Sequence, residues 1–281
     1  MDVLLRSRVV IAHPFDCGRE RSYLSDGCYA VGHLEREPAG FGGERVARHH
    51  HAALRADERL DQRLLGDHRW GVLMPEGHTV HRTANAFNAD FGGLPVLLDS
   101  PQGRFSGGAA LVSGRQLKRA KAIGKQLFLQ FAGIDEPLTV RIHLGIYGKW
   151  AWRAFDSADA LAEFLAKPPV GEVRARFYTA LQSQAPGSAV GPFHLAELRG
   201  PTVCEVLTKA EVKLVEKRLG PDPLNPDRDG SEQERFVQKV LGSKTAIGLL
   251  LMNQDVIAGI GNVYRAEILF RAKIDPHRPG N

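Results

Sequence analysis

Cysteine is scarce in this chain of 281 residues, and its three copies, Cys17, Cys28 and Cys204, show no paired spacing. An odd number of unpaired cysteines argues against a disulfide framework and a cysteine-rich zinc site, and it indicates a reducing cytoplasm. Long apolar runs are also missing, since none approaches the ~20 residues that a membrane-spanning helix needs. The opening apolar stretch is short and lacks a small-residue cleavage site, which argues against a signal peptide.

Lysine is missing from the first 73 residues, whose eleven basic residues are all arginine and are balanced by eleven acidic ones. The net charge of +5 therefore belongs to residues 74–281, where 26 basic residues outnumber 21 acidic ones. This excess weakly favours a polyanionic partner. Residues 1–73 also show no sustained helix or strand period. We expect them to be upstream sequence translated from a misassigned start codon, and a disordered basic arm is the alternative.

Regular hydrophobic patterns begin after residue 73. Apolar residues spaced four, three and four apart predict a helix over 79–91. Alternating apolar residues predict three strands, at 126–131, 138–144 and 173–178. A helix followed by short alternating strands indicates an α+β fold whose first domain, residues 74–200, combines an N-terminal helix with a two-layer β-sandwich.

The remaining residues are predicted to be helical. Residues 183–192 read as a flexible connection, and beyond about residue 203 the apolar period is that of a helix. Four helices are expected: one ending at Gly220-Pro221, one around 236–241, one over 245–252 and one over 263–272. We therefore expect an all-α domain in residues 201–281.

The tetrapeptide Met74-Pro-Glu-Gly77 carries the strongest chemical signal. If the chain began at Met74 and lost it, Pro75 would carry a free secondary amine beside Glu76. Such an amine can attack a sugar C1′ and form an iminium, and the carboxylic acid can protonate the departing oxygen. In the 281-residue chain the Pro75 nitrogen is a tertiary amide, which has no lone pair for attack.

Three polar residues near the predicted strands have two interpretations each. Lys125 opens the strand at 126–131 and is either a catalytic lysine or a solvated edge charge. His143 and Tyr147 either line a groove or are simply half-exposed. Spacing alone does not decide between these alternatives.

The glycine-containing turn at 257–265 is also open to two interpretations. Its backbone N–H groups could bind a phosphate at a helix N-terminus, with Asn262 as an additional donor. Alternatively, it is a plain interhelical turn that Asn262 caps. Arg218 and Lys244 lie near helix ends, where phosphate contacts and surface charge look alike.

Taken together, these segments resemble the formamidopyrimidine-DNA glycosylase and endonuclease VIII family, most closely its actinobacterial endonuclease VIII branch. The resemblance covers nearly all of residues 74–281. Its motifs are Met74-Pro-Glu-Gly-His-Thr-Val-His-Arg82, Ser100-Pro-Gln-Gly-Arg-Phe105, Gly124-Lys125, His143-Leu-Gly-Ile-Tyr-Gly148, Leu198-Arg-Gly-Pro-Thr-Val-Cys204, Leu219-Gly-Pro-Asp-Pro-Leu224 and the 257–265 turn. It implies that the all-α domain is a helix–two-turn–helix domain. It also implies a bifunctional DNA glycosylase and AP lyase of base-excision repair, which acts on oxidised bases, pyrimidines above all, in damaged DNA.

The resemblance implies a role for each catalytic candidate. Pro75 would be the Schiff-base nucleophile, and Glu76 the acid that opens the sugar and releases the base. Lys125 would lie beside the scissile phosphate and assist the β-elimination that breaks the strand. An α-amine titrates near ~8, so a useful fraction of a terminal proline is neutral at physiological pH.

DNA contacts follow from the same resemblance. Arg218 and Asn262 match phosphate-contacting positions, and Lys244 and His143 are further candidates. Ile146 and Tyr147 match the loop that fills the gap left by a flipped-out nucleotide. The endonuclease VIII pattern has a glutamine where this chain has Gly145, which puts direct hydrogen bonding to the orphaned base in doubt.

The chain departs from the family pattern at both ends. Residues 1–73 block Pro75, and the four-cysteine zinc finger that follows the helix–two-turn–helix in the family has no counterpart here. We therefore expect no metal or other cofactor in this chain, with zinc confined to a longer parent. We expect a monomer in the bacterial cytoplasm, associated with the nucleoid.

Two other functions are left open. In the first, the blocked proline and the missing finger make the chain a catalytically dead DNA-binding remnant. In the second, the chain shares only the helix–two-turn–helix, which also occurs in ribosomal and topoisomerase proteins.

Overall fold

The computed structural model describes residues 75–180 and 192–281. The predicted N-terminal extension, residues 1–73, and all but the last residue of the predicted connection 183–192 lie outside the described residues. Cys17 and Cys28 lie outside them as well. Every described residue belongs to one compact unit.

The first helix, α1 (Gly77–Phe91), begins two residues before its predicted start. The apolar stripe that predicted it is buried, with Val80, Ala84, Phe87 and Phe91 each at most 4% exposed. Helix α1 packs on β2 (Arg115–Ile123) and β3 (Gln126–Phe131). The helix prediction is confirmed because one face of α1 closes the core of the sheet.

Eight antiparallel strands form the sheet in the described part of the chain. Besides β2 and β3 they are β1 (Pro95–Asp99), β4 (Leu138–His143), β5 (Lys149–Phe155), β6 (Val173–Thr179), β7 (Phe193–Arg199) and β8 (Val203–Leu207), in the order β5-β7-β6-β1-β2-β3-β4-β8. Two short helices, α2 (Ser106–Val112) and α3 (Ala158–Ala166), lie in the connections.

The sheet folds into two layers between β1 and β2. These two strands pair only through Pro95 with Gln116 and Val96 with Arg115, whereas the other neighbouring pairs are longer. One apolar core draws side chains from both halves of the sheet and from α1. This is the two-layer arrangement that the sequence predicts.

The C-terminal residues form α4 (Lys209–Lys217), α5 (Ser231–Leu241), α6 (Ile247–Leu250) and α7 (Asn262–Ala272). The last three helices contribute to a second apolar core, whereas α4 lies against β4 and β8. The helix predicted over 245–252 is shorter because the chain tightens into turns after Leu250. There the N–H groups of Met252 and Asn253 bond to carbonyls three residues back. No helix in the described ranges is long and apolar enough to cross a membrane.

The expectation of a helical period from about residue 203 is wrong at its start. Residues Val203–Leu207 form β8, which pairs with β4. Apolar residues at 203, 206 and 207 fit a helical spacing, and five residues are too few to separate the two periods. The sheet therefore continues past residue 200, and the predicted domain boundary at that residue stays a prediction.

Phe87→Ala should destabilise the fold by about 3–5 kcal/mol, because it leaves a cavity in the core. The ring of Phe87 is 1% exposed and lies 4.9 Å from that of Trp152 and 5.1 Å from that of Trp150. The matched control is Phe270→Ala, since Phe270 is 81% exposed on α7. Urea unfolding measures both variants, and equal losses of stability would contradict the packing assignment.

Candidate active site

The carboxylate of Glu76 is buried where the first helix begins, with the residue only 2% exposed. Its oxygens accept hydrogen bonds from the backbone N–H groups of Gly261 at 3.1 Å, Val263 at 2.8 Å and Tyr264 at 3.2 Å. Gly261 is the N-cap of α7, so Glu76 binds N–H groups that the helix itself leaves without partners. Glu76 therefore caps α7, at the positive end of the helix dipole.

Three chain segments approach one another closely beside Glu76 because each has a glycine at the contact. Gly77 donates its N–H to the carbonyl of Gly259 at 2.8 Å, and a Cβ on Gly77 would lie 2.9 Å from the Gly259 Cα. Gly124 has a φ of +56°, and a Cβ there would lie 2.8 Å from the Ala258 Cβ. Larger side chains would separate these segments, so the glycines fix their spacing.

The turn before α7 does not present its glycine N–H groups to a phosphate. The N–H of Gly259 bonds to Gln254 Oε1 at 2.9 Å, and the N–H of Gly261 bonds to Glu76. The alternative in which Asn262 caps the helix is also wrong, because Gly261 is the N-cap and Asn262 is the first helical residue. The anion at this helix N-terminus is the Glu76 carboxylate.

Lys125 is half-buried at the start of β3. Burial lowers the pKa of its ammonium group, and the negative charge of Glu76 opposes this by raising that pKa. His143 pairs with Gln126 across β3 and β4, and burial lowers the pKa of its imidazole, with the charges of Arg141 and Lys125 adding to the effect. The structure thus brings Lys125 within electrostatic reach of both Glu76 and His143.

This group suits a reaction in which an amine attacks carbon while negative charge leaves nearby. Pro75 is half-buried and directly precedes Glu76, so an amine at position 75 would have a proton acceptor as its neighbour. Lys125 supplies a cation in partly desolvated surroundings, where charge interactions are stronger than in water. The structure therefore brings the Glu76 carboxylate, which follows Pro75, near a cation from a distant part of the sequence.

Ile146 and Tyr147 lie in the turn between β4 and β5, where they are 52% and 79% exposed. Adjacent large apolar side chains that remain in water are typical of a contact surface. Gly145 precedes them with a φ of +67°, and a Cβ there would lie 1.8 Å from Thr202 Oγ1. A glutamine does not fit this backbone, which explains the difference from the endonuclease VIII pattern.

The remaining predicted DNA contacts are exposed. Arg218 is the C-cap residue of α4, Lys244 lies between α5 and α6, and Asn262 begins α7. Within residues 75–180 and 192–281, none of these three side chains has a hydrogen-bond or ion-pair partner. They therefore remain available to a ligand.

Sequence reasoning missed Asp222 and His81. The Asp222 carboxylate is buried between α4 and α5 and accepts hydrogen bonds from His81 Nε2 and from the backbone N–H of Gly124. A polar residue between two prolines in Gly220-Pro-Asp-Pro-Leu224 is a visible signal of a constrained carboxylate. Its partners, however, lie about a hundred residues or more away in the sequence and carry no pattern that points to it.

The described cysteine does not fit the zinc site that the family implies. Cys204 is mostly buried, and burial raises the pKa of its thiol to about 12, so the metal-binding thiolate is disfavoured. In the part of the chain that the structure describes, no group of three or more His, Cys, Asp or Glu side chains could hold a metal ion. We therefore derive no chemical step through zinc.

Two family models match this chain. The Formamidopyrimidine-DNA glycosylase N-terminal domain matches residues 74–185, and the Formamidopyrimidine-DNA glycosylase H2TH domain matches residues 219–281. The second match confirms that the C-terminal helices form a helix–two-turn–helix domain.

Curated relatives and a solved structure support the same assignment. Endonuclease 8 1 of Mycobacterium tuberculosis is 46% identical over 207 residues, which cover 74% of this chain and 69% of the relative. Formamidopyrimidine-DNA glycosylase of Acidiphilium cryptum is 30% identical over 213 residues, covering 73% and 66%. The Lactococcus lactis formamidopyrimidine-DNA glycosylase bound to DNA with an AP site has a TM-score of 0.56 at 19% identity, over 73% of this chain and 72% of that chain. This structural likeness concerns the fold.

Glu76→Gln should destabilise the protein by about 2–3 kcal/mol, because the buried acceptor loses its charge and one of its two oxygens becomes an NH₂ donor that faces N–H groups of α7. Glu267→Gln is the matched control on α7, since Glu267 is 55% exposed and pairs only with Arg271. Urea unfolding of both variants tests the cap. A loss at Glu76 as small as that at Glu267 would contradict it.

Lys125→Gln should raise the pKa of His143, because it removes one of the positive charges that lower this pKa. NMR titration of the His143 ring measures the change. Lys125→Arg is the control, since it keeps the charge and should leave the pKa nearly unchanged. An unchanged or lower pKa in Lys125→Gln would show that the two side chains are not neighbours.

Proposed function

The chain belongs to the formamidopyrimidine-DNA glycosylase and endonuclease VIII family of base-excision repair, and on this premise we propose that it is a bifunctional DNA glycosylase and AP lyase. Its proposed substrate is damaged DNA with oxidised bases, pyrimidines above all. The observation that carries the proposal is the buried Glu76 carboxylate, which directly follows Pro75 and lies within electrostatic reach of Lys125.

Base release begins when a free Pro75 amine attacks C1′ of the damaged nucleotide. The new N–C1′ bond forms as the bond between C1′ and the base breaks, and the base leaves with the electron pair and takes a proton from water. The ammonium now at Pro75 gives its proton to Glu76. Glu76 passes this proton to O4′ as the sugar ring opens, which leaves an iminium between Pro75 and C1′.

The resting geometry of Glu76 fits this order of proton transfers. Both of its oxygens accept N–H bonds, so the group starts as a proton acceptor. Its charge belongs to the residue that directly follows the nitrogen that becomes positive in the iminium. A fixed charge aimed at developing charge of opposite sign is an effective source of transition-state stabilisation.

Lys125 serves the second reaction, in which the strand is cut. A proton passes from C2′ to water, its bonding pair forms a double bond between C2′ and C3′, and the 3′ phosphate departs with the electron pair of its bond to C3′. The Lys125 ammonium stabilises the negative charge on this leaving phosphate. Its half-buried position strengthens that interaction relative to water.

DNA binding is assigned to exposed side chains around this group. Arg218, Lys244 and Asn262 contact phosphates, which positions the duplex without reading its sequence. Ile146 and Tyr147, with His143 beside them, fill the gap left when the damaged nucleotide is flipped out. The backbone at Gly145 leaves no room for a glutamine, so the gap is filled by apolar contact.

The working form is proposed to be a monomer in the cytoplasm. The positive charge of residues 74–281 favours association with DNA. The step that depends on Pro75 requires a chain in which this residue carries a free amine. In the 281-residue chain that nitrogen is an amide, so this form is proposed to bind DNA without forming the iminium.

Borohydride trapping on DNA with an abasic site tests the proposal. A chain translated from Met74 and processed to begin at Pro75 should form a covalent adduct, because borohydride reduces the iminium to a stable amine. The 281-residue chain is the matched control and should form none, since its Pro75 nitrogen is acylated. Mass spectrometry should place the adduct on Pro75.

Two outcomes would contradict the assignment. No adduct from a chain beginning at Pro75 and shown by circular dichroism to be folded would exclude the Schiff-base mechanism. Salt-sensitive binding to intact and damaged duplexes alike, with no nicking, would favour the DNA-binding remnant or the bare helix–two-turn–helix protein.

A further inference from the structure

The Asp222 carboxylate joins three separate parts of the fold. Its side chain is 2% exposed. Its Oδ2 atom accepts the backbone N–H of Gly124 at 2.6 Å and Nε2 of His81 at 2.7 Å, and its Oδ1 atom accepts the N–H of Leu224 at 2.9 Å. Hydrogen bonds to a carboxylate are shorter and stronger than those between neutral groups, so these contacts hold the three segments together.

Asn225 reinforces the junction from the same loop. Its Nδ2 atom donates to the carbonyl of Ala122 at 3.2 Å and contacts Asp222 Oδ2 at 3.3 Å. Ala122 and Gly124 are both at the end of the β2–β3 hairpin. The loop between α4 and α5 therefore makes two bonds to this hairpin turn: Asn225 donates to Ala122, and Asp222 accepts from Gly124.

The junction bears directly on the position of Lys125, which follows Gly124. The turn has little freedom of its own, because Gly124 has a positive φ and packs against Ala258 and Gly259. The Asp222 contact therefore adds to the restraints on the peptide from which the Lys125 side chain extends.

His81 links the same carboxylate to the other half of the site. It lies on α1, the helix that directly follows Glu76. A carboxylate can only accept, so the short contact to Asp222 places a hydrogen on Nε2 of His81. Asp222 Oδ2 thus accepts from His81 on α1 and from the Gly124 N–H in the β2–β3 turn, and it joins these two segments.

We propose that His81 and Asp222 are positioning residues, which act through Gly124 to hold Lys125 in register with Pro75 and Glu76. The inference rests on the proposed function for its effect on catalysis, but the geometric linkage itself does not. A misplacement of about 1 Å can cost about 100-fold in rate. Loss of the His81 contact should therefore slow the step that depends on Lys125 more than the step that depends on Pro75.

The first test needs no activity and uses the 281-residue chain. His81→Leu removes the donor, so Lys125 should move away from His143 and the pKa of His143 should rise, in the same direction as in Lys125→Gln. His81→Gln keeps an N–H donor and should restore the pKa of the unsubstituted protein. NMR titration of His143 reads both variants.

The chain offers a matched control in its second histidine–carboxylate pair. His194 Nδ1 lies 3.5 Å from Asp90 Oδ2, and the His194 side chain is 20% exposed, against 21% for His81. His194→Leu should leave the pKa of His143 unchanged. If His194→Leu shifts the pKa of His143 as much as His81→Leu does, the shift reports a general loss of stability and not the His81–Asp222 contact.

The second test uses the chain that begins at Pro75, whose trapping reaction itself reports a folded site. His81→Leu should trap the iminium at the rate of the unsubstituted chain but cut the strand about tenfold more slowly, with unchanged DNA affinity. His81→Gln should recover most of this loss. Equal slowing of both steps, or no slowing of either, would overturn the positioning role.

The two tests separate failure of the inference from failure of the proposed function. If no variant traps an iminium, the glycosylase mechanism fails, and the His143 titration still decides whether His81 positions Lys125. If trapping succeeds but His81→Leu changes neither the titration nor the strand cleavage, only the inference is overturned.

Discussion

The capping of α7 by the Glu76 carboxylate is the contact on which the rest of the structure depends. It joins residues 185 positions apart in the sequence and buries a charge that would be costly without its three N–H donors. Around it, glycines at positions 77, 124 and 259 allow the backbones to approach closely. The Glu76 carboxylate therefore fastens the start of α1 to α7, and the same carboxylate is proposed to transfer a proton.

This double role constrains the chemistry. Removing the carboxylate would remove both a proton carrier and a helix cap, so loss of activity and loss of stability are coupled at Glu76. Lys125 is constrained in a related way. Its half-burial disfavours its charge, while the nearby Glu76 favours it, and the Asp222 junction holds the turn that carries it. The site is thus defined by contacts among three segments, and no single segment contains it.

Local hydrophobic patterns predicted the helices and strands whose regularly spaced apolar residues are buried in the core. The stripe on α1 is its buried apolar face, and in β3 Leu127, Leu129 and Phe131 face the same core, so both periods are readable. Strand β7 was not predicted, because Glu197 interrupts its apolar pattern. This residue is buried only because Arg176 and Arg199 pair with it at 3.1 and 2.9 Å. The sequence does not show that the charge of Glu197 has partners. Strand β8 is a separate case, because its five residues are too few to distinguish a strand period from a helical one.

The sequence by itself determined the chemical inventory: a proline and a glutamate in succession, a lysine at a strand start, and a family signature across residues 74–281. For the turn before α7 it left two interpretations open, an anion-binding turn and a plain interhelical turn. Only the tertiary structure decided that the anion bound there is Glu76, and that Asp222 and His81 hold the turn before Lys125. The reason is physical, because hydrogen-bond partners are chosen by proximity in the folded chain, and distant segments meet only when the core has formed.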